Sequence, residues 1–183
     1  MIRLNADTLF KEKKEDFSLE IIWGADYLSK REITTCDVFR PGLALAGYTG
    51  YFLSDRIMII GKTETMYMKT LTSAIKNQRM AKVIKFGTPC IIVTKNLRID
   101  QRLITEAQKH KIPILRTPLS TTPFIHALSN YLDYKLAPVQ FVQGTLVDIW
   151  GVGVLFVGKP GTGKSECALD LVERGHRLVC DNL

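Results

Sequence analysis

Short apolar runs alternate with longer segments of helical spacing along the first three-quarters of the chain. The run from Leu19 to Ile22 predicts a strand, and "RIMIIGK" and "PCIIVTK" are β-branched runs bounded by Gly, Lys and Pro, the pattern of buried strands. Between these two, "TETMYMKTLTSAIKNQRMAKVIKFG" sets Met68, Leu71, Ile75 and Met80 at helical spacing, with its end marked by Gly87 and Pro89. The logic then repeats. "IDQRLITEAQKHK" reads as an amphipathic helix, "IPILRT" as a strand, and "STTPFIHALSNYLDYKL" as a helix with Ser120 or Thr121 as its capping candidate and Pro123 just inside. Only "KREITTCDVFRPGLALAG" is turn-rich, because Pro41 and Gly42 forbid a continuous helix there. Alternating strands and helices imply an α/β domain of parallel strands joined by helical crossovers.

After Leu136 the pattern changes. "APVQFVQGTLVDIWGVGVLFVGKP" holds two β-rich runs separated by Gly151 and Gly153, with almost no helical signal. A boundary is expected between Tyr134 and Pro138, dividing the chain into an α/β domain over residues 1–133 and a second, incomplete domain over residues 134–183. With 46% hydrophobic and 23% charged residues, the chain can bury a sizeable core. Its 25 basic against 18 acidic residues, a net charge of +7, favour an anionic partner without choosing one. The basic residues form no dense run with interleaved aromatics, which argues against nucleic acid. No apolar run reaches the roughly 18 residues that span a bilayer, and the start "MIRLNADTLFKEKKEDF" is too polar for a signal peptide, so no membrane association and a cytoplasmic location are expected. Cys36, Cys90, Cys167 and Cys180 form no paired motif and read as reduced thiols. His110, His126 and His176 are too dispersed for a metal site.

One segment carries chemistry. "GKPGTGKS" (Gly158, Lys159, Pro160, Gly161, Thr162, Gly163, Lys164 and Ser165) fits G-x-x-x-x-G-K-[ST] at every specified position, after an apolar strand and before an amphipathic helix. Gly158, Gly161 and Gly163 permit positive φ, so that successive N–H groups can form a nest for phosphate oxygens at a helix N-terminus. Lys164 supplies a charge for the β- and γ-phosphates, and Ser165 a hydroxyl for Mg²⁺. Such loops serve kinases, GTPases and translocases alike, so the flanking segments must decide the reaction.

The flanks "RPGLALAGYTGYF", "LSNYLDYKLAP", "GTLVDIWGVGVL" and "GKPGTGKSECALDLVERGHRLVCDN" occur in that order. Together they resemble the bacterial HPr kinase/phosphorylase family from about Arg40 to Leu183. The resemblance implies an α/β N-terminal domain followed by a P-loop kinase domain of a homohexameric enzyme. It also implies an activity: ATP, or pyrophosphate, with Mg²⁺ phosphorylates a serine of the phosphocarrier protein HPr, and phosphorolysis removes the phosphoryl group, controlling carbon catabolite repression. By the same resemblance Lys164 and Asp181 are the catalytic candidates, Asp181 matching the first aspartate of the family's pair and standing as general base. His176 belongs to the same motif and positions the strand after the P-loop helix. Arg174 and Arg177 either meet anionic groups or cap the helix end.

The chain departs from the family pattern at two positions. Gln143 stands where a histidine usually precedes "GxLVD", and Asn182 replaces the second aspartate. Glutamine cannot relay a proton near neutral pH, and asparagine lacks the negative charge that would help hold Mg²⁺. Only eight residues follow Gly175, so the second domain reads as the start of a kinase domain, in a fragment or a truncated gene product expected to have little kinase activity alone. The rival reading is a non-catalytic nucleotide sensor or assembly module; a P-loop ATPase acting on nucleic acid is a weaker one.

Overall fold

Three runs at Ile57–Ile60, Ile91–Val93 and Ile114–Arg116 set the architecture of the amino-terminal unit, because each puts buried apolar residues on both faces of its strand, with Arg116 at the end of the third as the charged member. In the computed structural model, which describes residues 4–181, the unit Met1–Ala137 is separate from a second, Pro138–Leu183. The first is a five-stranded sheet: β1 (Glu20–Trp23), β2 (Val38–Phe39), β3 (Ile57–Ile60), β4 (Ile91–Val93) and β5 (Ile114–Arg116), in the order β1-β5-β4-β3-β2. Successive residues feed opposite cores, as the period of a strand requires. Ile57, Ile59, Cys90, Ile92 and Leu115 pack with Leu9 of α1 (Ala6–Lys13) and Phe124, Leu128 and Leu132 of α6 (Thr121–Leu136). Met58, Ile91, Val93 and Ile114 pack on the other side with α2 (Gly42–Ala46), α3 (Lys62–Thr70), α4 (Ser73–Lys85) and α5 (Gln101–Lys109). The result is a layer of helices on each face of the sheet.

Strands β2 to β5 are parallel, as the alternating pattern predicts, whereas β1 runs antiparallel to β5 at the edge. Strand β1 leads to β2 at the opposite edge through a 3-10 turn at Ala25–Lys30 and extended chain, without an α-helix, so it belongs to no helical crossover unit, and its direction is set where it pairs with β5. Arg116 and Glu20, direct partners in this register, close the edge with an ion pair of 2.6 Å.

Three helical features depart from the expected pattern. The polar start forms α1, whose Asn5 cap accepts from the Thr8 N–H at 2.9 Å while Leu9 is fully buried. The Pro-Gly stretch forms the five-residue α2 directly after Pro41, closed by Gly47 at φ 119°. The single helix suggested by Met68, Leu71, Ile75 and Met80 is two helices: the chain is extended at Leu71, Thr72 restarts it as the cap of α4, and Ile75 is 42% exposed while Met68 and Met80 are buried. At the last helix, Ser120 holds the cap position without a side-chain cap bond, and the Thr121 hydroxyl instead meets that of Thr94 at 2.7 Å.

The second unit is a three-stranded sheet of β6 (Gly144–Ile149), β7 (Val152–Val157) and β8 (Arg177–Asp181) in the order β7-β6-β8, with α7 (Lys164–Glu173) packed on β6 and β8. A two-residue turn joins β6 to β7. Trp150 and Gly151 both have positive φ, the geometry whose twist suits a hairpin, and Asp148 Oδ1 accepts from the Gly151 N–H at 2.7 Å. Gly153 therefore lies within β7 and does not separate the two runs. Among the described residues no helix is long and apolar enough to cross a membrane.

Two tests of this architecture follow from its buried groups. Glu64 is 3% exposed; both of its oxygens accept from Arg40, at 2.8 and 3.0 Å, and one also accepts from the Gly61 N–H. Arg40→Ala leaves that carboxylate in the core with one donor and is expected to cost about 2–3 kcal/mol. Urea unfolding followed by Trp23 fluorescence in a Trp150→Phe background measures it, and an unchanged midpoint contradicts the assignment. Cys90 is fully buried, and that burial pushes its thiol up to about 12. A thiol reagent at pH 8 is expected to modify exposed Cys167 at once and Cys90 only on unfolding; early labelling of Cys90 contradicts the strand register.

Candidate functional site

Strand β7 ends at Val157 and helix α7 begins at Lys164; the six residues between them form the turn predicted to grip phosphate. Gly161 and Gly163 both sit at φ 80°, where a side chain is strained. Gly158 does not use that freedom: it keeps an ordinary φ, and a Cβ there would come within 3.0 Å of Thr162 Oγ1. Its glycine serves close packing inside the loop. Gly163 occupies the cap position of α7 with no side chain to cap the helix, so the first-turn N–H groups stay free. The N–H groups of Lys159, Gly161, Thr162 and Gly163 likewise donate to no protein acceptor among the described residues. Lys164 Nζ donates to the carbonyls of Gly158 and Lys159, both at 3.0 Å, which folds its ammonium over the loop. Thr162 Oγ1 donates to the Lys159 carbonyl at 2.9 Å and braces the turn.

Free N–H groups, a helix N-terminus and an ammonium directed at one concavity suit a polyphosphate. A nucleotide therefore fits the donors of Gly158–Ser165. Ser165 is exposed, with its hydroxyl free among the described residues to serve as one oxygen ligand for Mg²⁺.

The sheet register adds the carboxylate. Thr145 lies opposite Phe156 of β7 on one side and Asp181 of β8 on the other, so the carboxyl ends of β7 and β8 emerge at the same edge. Two strand spacings separate them, about 10 Å. Thr145 is buried, and its hydroxyl donates to Asp181 Oδ1. Directly opposed residues of an antiparallel pair share a face, which is why this contact forms. Thr145 is the residue that motif reading passes over. Its signal is positional: one polar residue among the buried members of β6, at the strand end nearest the loop. Gly144, beside it, has no room for a side chain, since a Cβ would meet the Phe156 carbonyl oxygen at 2.5 Å. Gln143 precedes β6 at this same edge and is exposed; Asn182 lies outside the described residues.

The remaining candidates lie elsewhere. Arg177 pairs with Asp148 at the opposite end of the sheet, about 13 Å along β8 from Asp181. Arg174 forms an ion pair with Asp170 at 2.9 Å one turn back on α7. His176 follows Gly175, whose φ of 95° closes α7 with N–H bonds from Gly175 to Val172 and from His176 to Leu171, and its ring meets Trp150 edge-on at 5.6 Å. His176 thus pins the entry of β8 to the hairpin, away from the phosphate loop. His110 ends α5 and His126 is exposed on α6. Among the described residues no cluster of His, Cys, Asp or Glu is arranged to hold a metal by itself.

Comparison with known proteins gives one family over both units. The model of the HPr Serine kinase N terminus matches residues 5–132, and that of the HPr Serine kinase C-terminal domain matches residues 134–183. The chain is 46% identical over 182 residues to the HPr kinase/phosphorylase of Caldanaerobacter subterraneus subsp. tengcongensis, covering 100% of this chain and 58% of that protein. It is 45% identical over 172 residues to the HPr kinase/phosphorylase of Bacillus subtilis, covering 94% of this chain and 55% of that protein. The chain thus spans just over half the length of these relatives. Among solved structures, the CBS and DRTGG domains of the regulatory region of Clostridium perfringens pyrophosphatase align at 16% identity and a TM-score of 0.41, over 78% of this chain and 59% of that one, too loose a likeness to carry an argument. The two family models account for nearly every residue, and the chain belongs to the HPr kinase/phosphorylase family.

Proposed function

We propose that the second unit supplies the phosphate grip and the general base of an ATP- or pyrophosphate-dependent kinase/phosphorylase acting on a serine of HPr. The observation that carries this reading is the shared edge of β7 and β8, which sets the end of the strand that feeds the glycine loop about 10 Å from Asp181, with Thr145 between them. In the forward direction Asp181 takes the serine hydroxyl proton as that oxygen bonds to the γ-phosphorus and the bond to the leaving phosphate oxygen breaks. In reverse, inorganic phosphate attacks the phosphoserine phosphorus, the serine oxygen leaves and recovers a proton from Asp181, and pyrophosphate is released. The donors of Gly158–Gly163 and Lys164 hold the β- and γ-phosphates throughout, and Thr145 aims the carboxylate. Mg²⁺ bound through Ser165 supplies charge neutralisation at the phosphates. The same reading places the protein in the cytoplasm, as a homohexamer controlling catabolite repression.

A second reading is nucleotide sensing without transfer. It is favoured by Gln143, a residue that does not titrate, at the catalytic edge. Phosphotransfer by a full-length version separates the two readings, since ATP binding without transfer there favours the second. The polypeptide of these 183 residues is expected to bind ATP with Mg²⁺ but to phosphorylate HPr no faster than a blank, because Val152 and Val157 on the strand that feeds the loop are about 60% exposed, so water reaches the surroundings of the reacting phosphate. Robust serine phosphorylation in an assay with HPr would overturn that expectation.

Binding itself is tested at the ammonium. Lys164→Ala is expected to weaken ATP binding by about tenfold to a hundredfold in calorimetric titration, the loss expected for charge-assisted contacts to phosphate. Unchanged affinity would mean that the nucleotide is held elsewhere.

A further inference from the structure

The amino-terminal unit contains a cavity of about 610 Å³ that the P-loop chemistry does not use. It opens at the carboxyl ends of the parallel strands, where ligands of open α/β sheets bind, and its size is that of a small-molecule site. Pro41, Ile60 and the segment Leu97–Asp100, all at or beyond those strand ends, contribute to its lining. The helical wall comes from both α3 and α4, whose separation at Leu71 and Thr72 brings two helix faces to one space.

The interior is apolar and adaptable. Met58, Met68 and Met80 line it, each less than 10% exposed, together with Val93 and Leu103. Unbranched thioethers adjust to guests of irregular shape. The charges at the lining are not balanced. Glu64 is engaged by Arg40 and the Gly61 N–H, and Asp100 accepts from Lys76 at 3.3 Å and from the Arg102 N–H at 3.0 Å. Both carboxylates are therefore occupied. Lys69 and Arg98 also line the cavity, and neither has an anionic partner among the described residues.

We propose that this cavity binds a small organic anion, with an apolar body among the three methionines and a phosphate or carboxylate head between Lys69 and Arg98. Its lining comes wholly from the amino-terminal unit, and it would give that unit a ligand of its own. A neutral compound of the same shape gains the apolar contacts but nothing from the two cations, so charge selectivity is the signature of the site.

The test uses the 183-residue chain labelled with methyl-¹³C methionine and titrated with octyl phosphate, octanoate and octan-1-ol, all below micelle-forming concentrations. Met66, half exposed and outside the lining, is the internal control. Saturable shifts at Met58, Met68 and Met80, with Met66 unmoved, are expected for at least one anion, and the tighter of the two names the head group. In the Lys69→Ala/Arg98→Ala variant, whose altered side chains are exposed and do not support the core, that anion is expected to bind about tenfold or more weakly while octan-1-ol changes by less than about twofold. The proposal is overturned if neither anion gives saturable shifts at the three methyl groups, if Met66 shifts alongside them, or if the double variant binds the anion as tightly as the parent.

Discussion

Burial of β3, β4 and β5 on both faces is the constraint from which the amino-terminal unit follows. A strand with apolar residues at consecutive positions cannot leave either face to water, so helices must cover both. Ile57 and Ile59 face one layer and Met58 the other; Cys90 and Ile92 oppose Ile91 and Val93 in the same way. With both faces closed, polar groups collect where the strands end. Glu64 with Arg40, Thr94 with Thr121 and the Asp100 cap all lie at the carboxyl ends or on the helices that follow them.

Much of this plan is legible in the sequence, because β-branched runs and amphipathic helices each carry their own period. The parts that are not legible share a cause: their signal depends on contacts distant along the chain. The direction of β1 is set by its pairing with β5, nearly 100 residues away, and its own four residues carry no mark of direction. Helix α1 is only eight residues long and mostly polar; docking of Leu9 and the contacts of Glu12 with Tyr131 and Lys135 support it more than propensity does. The division between α3 and α4 was hidden because Leu71 and Ile75 continue the helical spacing by coincidence. Thr72, a good cap residue, was the local sign that a new helix begins.

The phosphate loop was the most legible feature because its chemistry is carried by the backbone, and only glycine at fixed positions allows that backbone. Even here geometry refines the motif: two of its three glycines adopt positive φ, while the third makes room for Thr162. Thr145 could not be read from a motif, since its importance comes from pairing with Asp181 across 36 residues of chain. Arg174, Arg177 and His176 illustrate the opposite case. They stand close to Asp181 in sequence, yet a strand carries its two ends apart, and they belong to the far side of the sheet.

The two units handle the end of a strand in contrasting ways, and the contrast bears on what each can hold. In the second unit, glycines let the chain curl around β7's end, so the recognition surface is the backbone itself and fits phosphate whatever is attached to it. In the first unit Gly61 follows β3 and caps α3 as Gly163 caps α7, but there the buried Glu64 carboxylate accepts the Gly61 N–H, and Thr94 follows β4. A carboxylate seated at that helix N-terminus already occupies the place where a phosphate would bind. Any selectivity at that end must therefore come from side chains around an apolar space, a form of recognition suited to the body of a molecule as much as to its charge.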